Sequence, residues 1–419
     1  MRVKKFAILV AFALIVVSIA MPVLADDNPN PEPSPSESTS TPFLPLKSLN
    51  TFKKRLANSS LTKSTSIALS DTLTREPIWN KNGMRELVPA SAIKILTAAI
   101  ALETFGPNYR FTTKLTWDEA TRTLTLVGDA DPMLRTDHLR KLIEQLYQTD
   151  IDLTEPMIVQ ADATKFPRHT KPEGWVPNPM PRYVRPVTAL YLDNKVTRDP
   201  VHDTLAKFLK LLAKSGITVA SNREAKATGE VIAEVKGFPL IAHVRTMLQN
   251  SENTIAEMLL RRATYQETGK ATWAAMQTFA LQKLEAIGLY TDDLKIVDGS
   301  GLSRANRVSA NHIIVLLGMI ADETRLNLNV IERMQLMAVS GQTGTLEERF
   351  KSKKTRCAQG RVHAKTGSLS DVSALAGYVT HVNGTEVAFA VLVNNINGWS
   401  QGYKVRDQID FMLAGLAGC

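Results

Sequence analysis

The sequence is poor in the residues that bind metals. Only two of its 419 residues are cysteine, Cys357 and Cys419, and its seven histidines are scattered without the spacing of zinc ligands. A metal-dependent hydrolase is therefore not supported, and we expect neither a metal nor a cofactor. An exported protein could join the two cysteines in one disulfide, but we expect them to remain free thiols.

Two other absences narrow the function further. No run of lysine and arginine is interleaved with aromatic residues, which argues against a nucleic-acid-binding protein. After the first 25 residues, no apolar stretch is long enough to cross a bilayer. Together with the N-terminal pattern described next, this predicts that the working region of the chain is exported.

The N-terminus has the pattern of a secretory signal. Arg2, Lys4 and Lys5 precede an apolar run over 6–21, and a small-residue site ends at Ala25. We expect cleavage after Ala25 and export to the periplasm, the cell wall or the medium. An uncleaved membrane anchor is the alternative. Residues 26–45 are rich in Pro and Ser, which predicts a disordered tether or a dispensable leader.

The formal net charge is +9. A basic exported protein is attracted to an anionic cell-wall polymer or to a membrane surface. An ordinary solvated surface explains the same charge, and the sequence leaves both interpretations open.

Three short segments, in a fixed order, indicate the chemistry. They are Ser91-Ala92-Ile93-Lys94, Ser251-Glu252-Asn253 and Lys365-Thr366-Gly367. A serine one helical turn before a lysine, followed by S-x-N and K-T-G, provides acyl transfer to serine without a catalytic histidine.

Each motif alone occurs by chance, as the S-x-x-K at Ser60 illustrates. However, Ser91 opens an apolar helix predicted to end at Phe105, and Lys365 begins the single K-T-G beside a hairpin signal at Asn383-Gly384.

The residue types suggest a role for each group on the nucleophile side. Ser91 is the predicted nucleophile, and a neutral Lys94 is the predicted base, since burial and a second cation, Lys365, lower the pKa of an ammonium group. Ser251 would relay the proton to the leaving amine. Asn253 would hold a substrate carbonyl.

The third segment is predicted to bind the substrate along an edge strand. Lys365 and Thr366 would bind the terminal carboxylate, and Gly367 would allow close approach. The backbone N–H groups of Ser368 and Ser91 would form the oxyanion hole.

The pattern along the chain predicts an α+β protein with a discontinuous core. Strands near both ends with helices between them suggest one lobe formed by 46–106 and 236–419. The segment 107–235 reads as an inserted, smaller α+β module. About 160 residues therefore separate the first two motifs.

With these residues considered, the chain resembles the low-molecular-mass penicillin-binding proteins, the D-alanyl-D-alanine carboxypeptidase/endopeptidase family with a large insert between S-x-x-K and S-x-N. Supporting segments include the one from Gly128 to Leu134, GDADPML, and the one from Asp298 to Arg304, DGSGLSR. Departures include Ala92-Ile93 in place of Asn-Thr, and Glu252 in place of Asp. The spacing is too long for a β-lactamase.

The resemblance implies a penicillin-binding core and hydrolysis of peptidoglycan stem peptides through an acyl-serine that β-lactams also form. Arg304 either meets the acidic stem peptide or belongs to a structural turn. Other outcomes are a transpeptidase, an unusual β-lactamase, or a penicillin-sensing or cell-wall-binding protein without turnover. The oligomeric state is left open.

Overall fold

The computed structural model describes residues 43–61, 64–167, 172–175, 183–326 and 328–419. The predicted signal peptide and nearly all of the predicted tether lie outside these residues. None of the helices in the described ranges combines the length and the apolar character that a membrane span requires.

The described chain alternates between helices and strands. The helices are α1 Leu46–Ala57, α2 Lys94–Phe105, α3 Thr136–Leu146, α4 Pro200–Lys214, α5 Leu240–Asn250, α6 Asn253–Thr268, α7 Trp273–Ala286, α8 Ala310–Ile320, α9 Glu323–Leu326, α10 Val330–Met334 and α11 Gly398–Leu416. The strands are β1 Thr65–Asp71, β2 Pro77–Lys81, β3 Arg110–Asp118, β4 Thr123–Val127, β5 Met157–Asp162, β6 Val219–Glu224, β7 Glu230–Pro239, β8 Ala338–Val339, β9 Val362–Leu369, β10 Val372–Thr380 and β11 Glu386–Val393.

A six-stranded antiparallel sheet contains the K-T-G segment. Its strand order is β2-β1-β11-β10-β9-β8, so strands from both ends of the described chain pair side by side. Alternate side chains point to opposite faces of a strand. Ala68 therefore packs in the core with α2 and α8, whereas Ile67 and Leu69 pack in the core with α1 and α11.

A second sheet is formed by a continuous part of the chain. Its order is β6-β5-β4-β3-β7, with β5 parallel to both β4 and β6. Helices α3 and α4 make the two crossovers and share a hydrophobic core with the sheet. The predicted module boundary at 235 falls inside β7, which continues to Pro239.

The two sheets with their flanking helices confirm the predicted α+β class. Helix α1 and strands β6 and β7 were not anticipated. Most of β6 is exposed at the edge of its sheet, so its sequence lacks the apolar alternation that identifies a buried strand.

The prediction of free thiols is wrong. Cys357 and Cys419 form a disulfide, with their Cα atoms 6.1 Å apart. Helix α11 contacts the 3₁₀ turn Arg356–Ala358, which contains Cys357. The two cysteines are 62 residues apart in sequence, so only the return of α11 across the sheet brings them together.

Candidate active site

Ser91 lies on a short 3₁₀ turn, Ala90–Ile93, and not on the α-helix that the sequence predicts from that residue. The α-helix begins at Lys94. Side chains three residues apart eclipse one another in a 3₁₀ turn. This geometry places Lys94 Nζ 2.9 Å from Ser91 Oγ.

The ammonium group of Lys94 has two further partners. Nζ lies 2.7 Å from Asn253 Oδ1 and 2.5 Å from the backbone carbonyl of Ser300. A neutral amine has two N–H donors and one lone pair. The two carbonyl oxygens would occupy those donors, which leaves the lone pair to accept the Ser91 proton.

Burial tunes Lys94 for this task. The residue is 0% exposed, and burial lowers its pKa to about 7, although the carboxylates of Asp298, Glu257 and Glu252 act in the opposite direction. A lysine with this pKa is partly neutral near neutral pH and is therefore suited to accept a proton.

The corner between α5 and α6 positions the S-x-N segment. Ser251 has a left-handed backbone, φ 60°, which ends α5, and Asn253 begins α6. Asn253 Nδ2 donates to the carbonyl of Tyr183 at 2.7 Å. That bond turns the amide oxygen of Asn253 toward Lys94.

The K-T-G segment lies in β9, next to the nucleophile turn. A side chain at Gly367 would meet the carbonyl of Pro89 at 2.7 Å, so only glycine permits this approach. Ser368 is exposed on the same strand. Within the described sheet, β8 pairs with β9 only at His363 and Ala364, so the edge beyond these residues is open.

The side chains of this segment have defined partners. Lys365 is 0% exposed, and its Nζ donates to the carbonyl of Thr366 at 2.7 Å. Burial lowers its pKa well below the ordinary value, and the charge of Lys94 acts in the same direction. Thr366 Oγ1 donates to Thr345 Oγ1 at 2.9 Å.

Arg304 belongs to the 298–304 loop, and its side chain reaches the residues that follow β9. Its guanidinium group bonds Asp371 Oδ1 at 2.5 Å and Ser370 Oγ at 2.9 Å. The Arg304 side chain is 39% exposed. Arg304 thus ties the 298–304 loop to the turn between β9 and β10 while part of its surface remains accessible to a ligand.

The structure adds groups that the sequence reasoning missed. The carbonyl of Ser300 contacts Lys94, and the buried carboxyl group of Glu257 bonds the loop that carries Ser300. Glu257 follows Asn253 by four residues, a spacing that places both on one helix face. That spacing was the signal in the sequence that could have identified Glu257. A backbone carbonyl such as that of Ser300 leaves no signal in the sequence.

Comparison with known families identifies the chain. The model of the D-Ala-D-Ala carboxypeptidase 3 (S13) family matches residues 49–201 and 195–416. The chain belongs to the S13 family. It is therefore a serine peptidase of the penicillin-binding type, as the three motifs predicted, and the predicted recognition is confirmed.

Relatives in the S13 family match over most of their length. The chain is 28% identical to carboxypeptidase DacB of Mycolicibacterium smegmatis, over 84% of this chain and 80% of that protein. It is 26% identical to a D-alanyl-D-alanine carboxypeptidase of an Actinomadura species, over 84% of this chain and 81% of that protein.

A solved structure shares the fold. Penicillin binding protein 4 of Haemophilus influenzae superposes with a TM-score of 0.73 at 20% identity, covering 88% of this chain and 98% of that one. This match confirms the penicillin-binding fold.

Proposed function

We propose that this S13 protein is a serine D-alanyl-D-alanine carboxypeptidase that also cleaves cross-linked stem peptides as an endopeptidase. The observation that carries the proposal is the set of contacts made by one buried amine, Lys94 Nζ, with Ser91 Oγ, Asn253 Oδ1 and the Ser300 carbonyl. The names of its S13 relatives support the same activity.

Acylation begins when neutral Lys94 accepts the proton of Ser91. The Ser91 oxygen bonds the carbonyl carbon of the penultimate D-alanine, and the N–H groups of Ser91 and Ser368 stabilise the oxyanion. The C–N bond then breaks. The departing amine takes the proton from Lys94 through the hydroxyl of Ser251. Water later hydrolyses the acyl-enzyme, which releases the shortened peptide as its acid and restores the Ser91 hydroxyl.

The substrate lies along the open edge of β9. Its backbone pairs with the strand beyond Lys365, whose ammonium group binds the terminal carboxylate together with Thr366. Gly367 leaves room for the scissile bond beside the nucleophile turn. Arg304, at the end of β9, is placed to meet an acidic group of the stem peptide.

β-Lactams acylate the same serine. Penicillin binding protein 4 of Haemophilus influenzae has been solved with a β-lactam bound, and a similar protein of Bdellovibrio bacteriovorus is a peptidoglycan endopeptidase. Both support peptidoglycan stem peptides and β-lactams as ligands of this chain.

A labelled penicillin tests the nucleophile. Wild-type protein should be labelled and should release D-alanine from stem peptides, while Ser91→Ala should do neither. Ser60→Ala is the matched control, because Ser60 begins the other S-x-x-K and its Oγ bonds Gln408 Nε2 at 2.9 Å. Labelling of Ser91→Ala would contradict the assignment.

We also propose that the chain is exported, with cleavage after Ala25, and that its positive charge attracts an anionic wall polymer. N-terminal sequencing of protein from the envelope tests the first point. Loss of wall binding with rising salt tests the second.

A further inference from the structure

The position of the Ser300 carbonyl depends on a buried loop. Asp298, Ser300 and Ser303 are all 0% exposed. The carboxylate of Asp298 accepts from the N–H of Gly301 at 2.8 Å and from the N–H of Ser303 at 2.6 Å. These bonds set the curvature of the loop, but they do not attach it to α6, the helix that begins at Asn253.

That attachment is made by Glu257. Its Oε1 accepts from the N–H of Ser300 at 2.8 Å and its Oε2 from the N–H of Gly299 at 3.1 Å. Glu257 is 0% exposed and lies on α6, one turn after Asn253. One carboxyl group therefore joins the helix that supplies one carbonyl partner of Lys94 to the loop that supplies the other.

We propose that Glu257 is a positioning residue for acylation: it fixes the Ser300 carbonyl relative to Asn253 and so directs the lone pair of Lys94 at Ser91. The inference rests on the proposed function. Both oxygens of Glu257 accept from successive backbone N–H groups, an arrangement that glutamine cannot reproduce because its NH2 group would oppose one of those donors.

The charge of Glu257 matters as well as its shape. Burial, and then the Asp298 carboxylate, raise the pKa of Glu257, while the N–H groups of Gly299 and Ser300 stabilise its charged form and lower that pKa. Its negative charge, like the charges of Asp298 and Glu252, raises the pKa of Lys94. Arg261 lies on the same helix, and the negative charge of Glu257 acts to raise the pKa of Arg261. Lys365, on β9, is a further charged group that interacts with Lys94.

A chemically neutral contact on the same loop provides a matched control. Thr97 Oγ1 donates to the carbonyl of Gly299 at 2.8 Å from α2. Thr97→Val removes this bond while preserving shape and charge. It should lower the acylation rate about fivefold, the effect of one neutral hydrogen bond.

The experiment measures the rate constant for acylation by labelled penicillin as a function of pH. Glu257→Gln should lower the plateau about 100-fold because the base is misplaced. Its acidic limb should also move to lower pH, since the lost negative charge no longer raises the pKa of Lys94. Thr97→Val should keep the limb at the wild-type position.

Glu257→Asp keeps the charge and shortens the side chain. Its limb should stay at the wild-type pH, and its plateau should fall below that of Thr97→Val. Circular dichroism establishes that each variant is folded. If Glu257→Gln does not fold, Glu257→Asp and Thr97→Val provide the test. Equal plateau rates for these two variants would overturn the proposal.

Two further outcomes would also overturn it. One is a wild-type rate and limb in Glu257→Gln. The other is a lower rate with an unmoved limb, which would mean that Glu257 only supports packing. Failure of the wild-type protein to react with penicillin is a different result, because it rejects the proposed function itself.

Discussion

The candidate active site contains two fully buried lysines, Lys94 and Lys365, which are held in different ways. Lys94 contacts three groups from three separate elements, including Ser91. Lys365 donates to the carbonyl of its own neighbour, Thr366. The three contacts of Lys94 fix its amine for one proton transfer. Lys365 has one such contact, so its remaining N–H groups can bind an incoming carboxylate. Lys94 therefore serves proton transfer, and Lys365 serves substrate binding.

The largest effect should come from the base. Lys94→Met removes the amine at similar volume, and acylation should fall by about 10²–10⁴-fold, the usual contribution of a positioned base. The loss should be equal for substrates ending in a carboxylate or an amide. Stopped-flow acylation measures it, with Lys195→Met, an exposed lysine, as control. A different loss for the two substrates would contradict the assignment of proton transfer to Lys94 and of carboxylate binding to Lys365.

Lys365→Met should act mainly on binding. A charge-assisted hydrogen bond contributes about 1.5–3 kcal/mol, so kcat/KM for a substrate with a free carboxylate should fall about 10–100-fold. The amidated substrate, already poor for wild type, should lose little more. Steady-state kinetics on both peptides test this, and an equal loss on the amide would assign Lys365 to the chemistry instead.

The pH dependence should follow Lys94. Since the neutral amine is the base, acylation should fall about tenfold per pH unit below its pKa of about 7. The folded pKa lies below the ordinary 10.5, so the unfolded chain binds more protons between the two values. Stability should therefore rise with pH across that window. Urea melts along a pH series would contradict this if stability fell.

The smallest effect should come from Arg304. Its ion pair with Asp371 is exposed, so Arg304→Ala should change the free energy of unfolding by only about 0.2–1 kcal/mol. If Arg304 meets the stem peptide, KM for acidic peptides should rise about threefold and KM for neutral ones should not change. An unchanged KM for acidic peptides would make Arg304 a purely structural contact.

The sequence predicted the lysines and the serine because their side chains carry the chemistry at fixed spacing. It also predicted the hairpin, since Asn383-Gly384 is a specific turn signal. It did not reveal the Ser300 carbonyl, because every residue has one and only the tertiary fold selects which carbonyl reaches Lys94. It likewise missed the disulfide, whose cysteines meet only after α11 packs on the sheet.

The Cys357–Cys419 bridge encloses one part of the active site in a covalent ring and leaves the other part outside it. It closes a ring that includes all of β9, β10, β11 and α11, and Lys365 lies inside that ring while Ser91, Lys94 and Asn253 lie outside it. A protease cut at an exposed turn within the ring would leave both fragments linked. Reduction would remove this covalent link, so after such a cut the covalent continuity of the part that contains Lys365 would depend on the redox state of the surroundings.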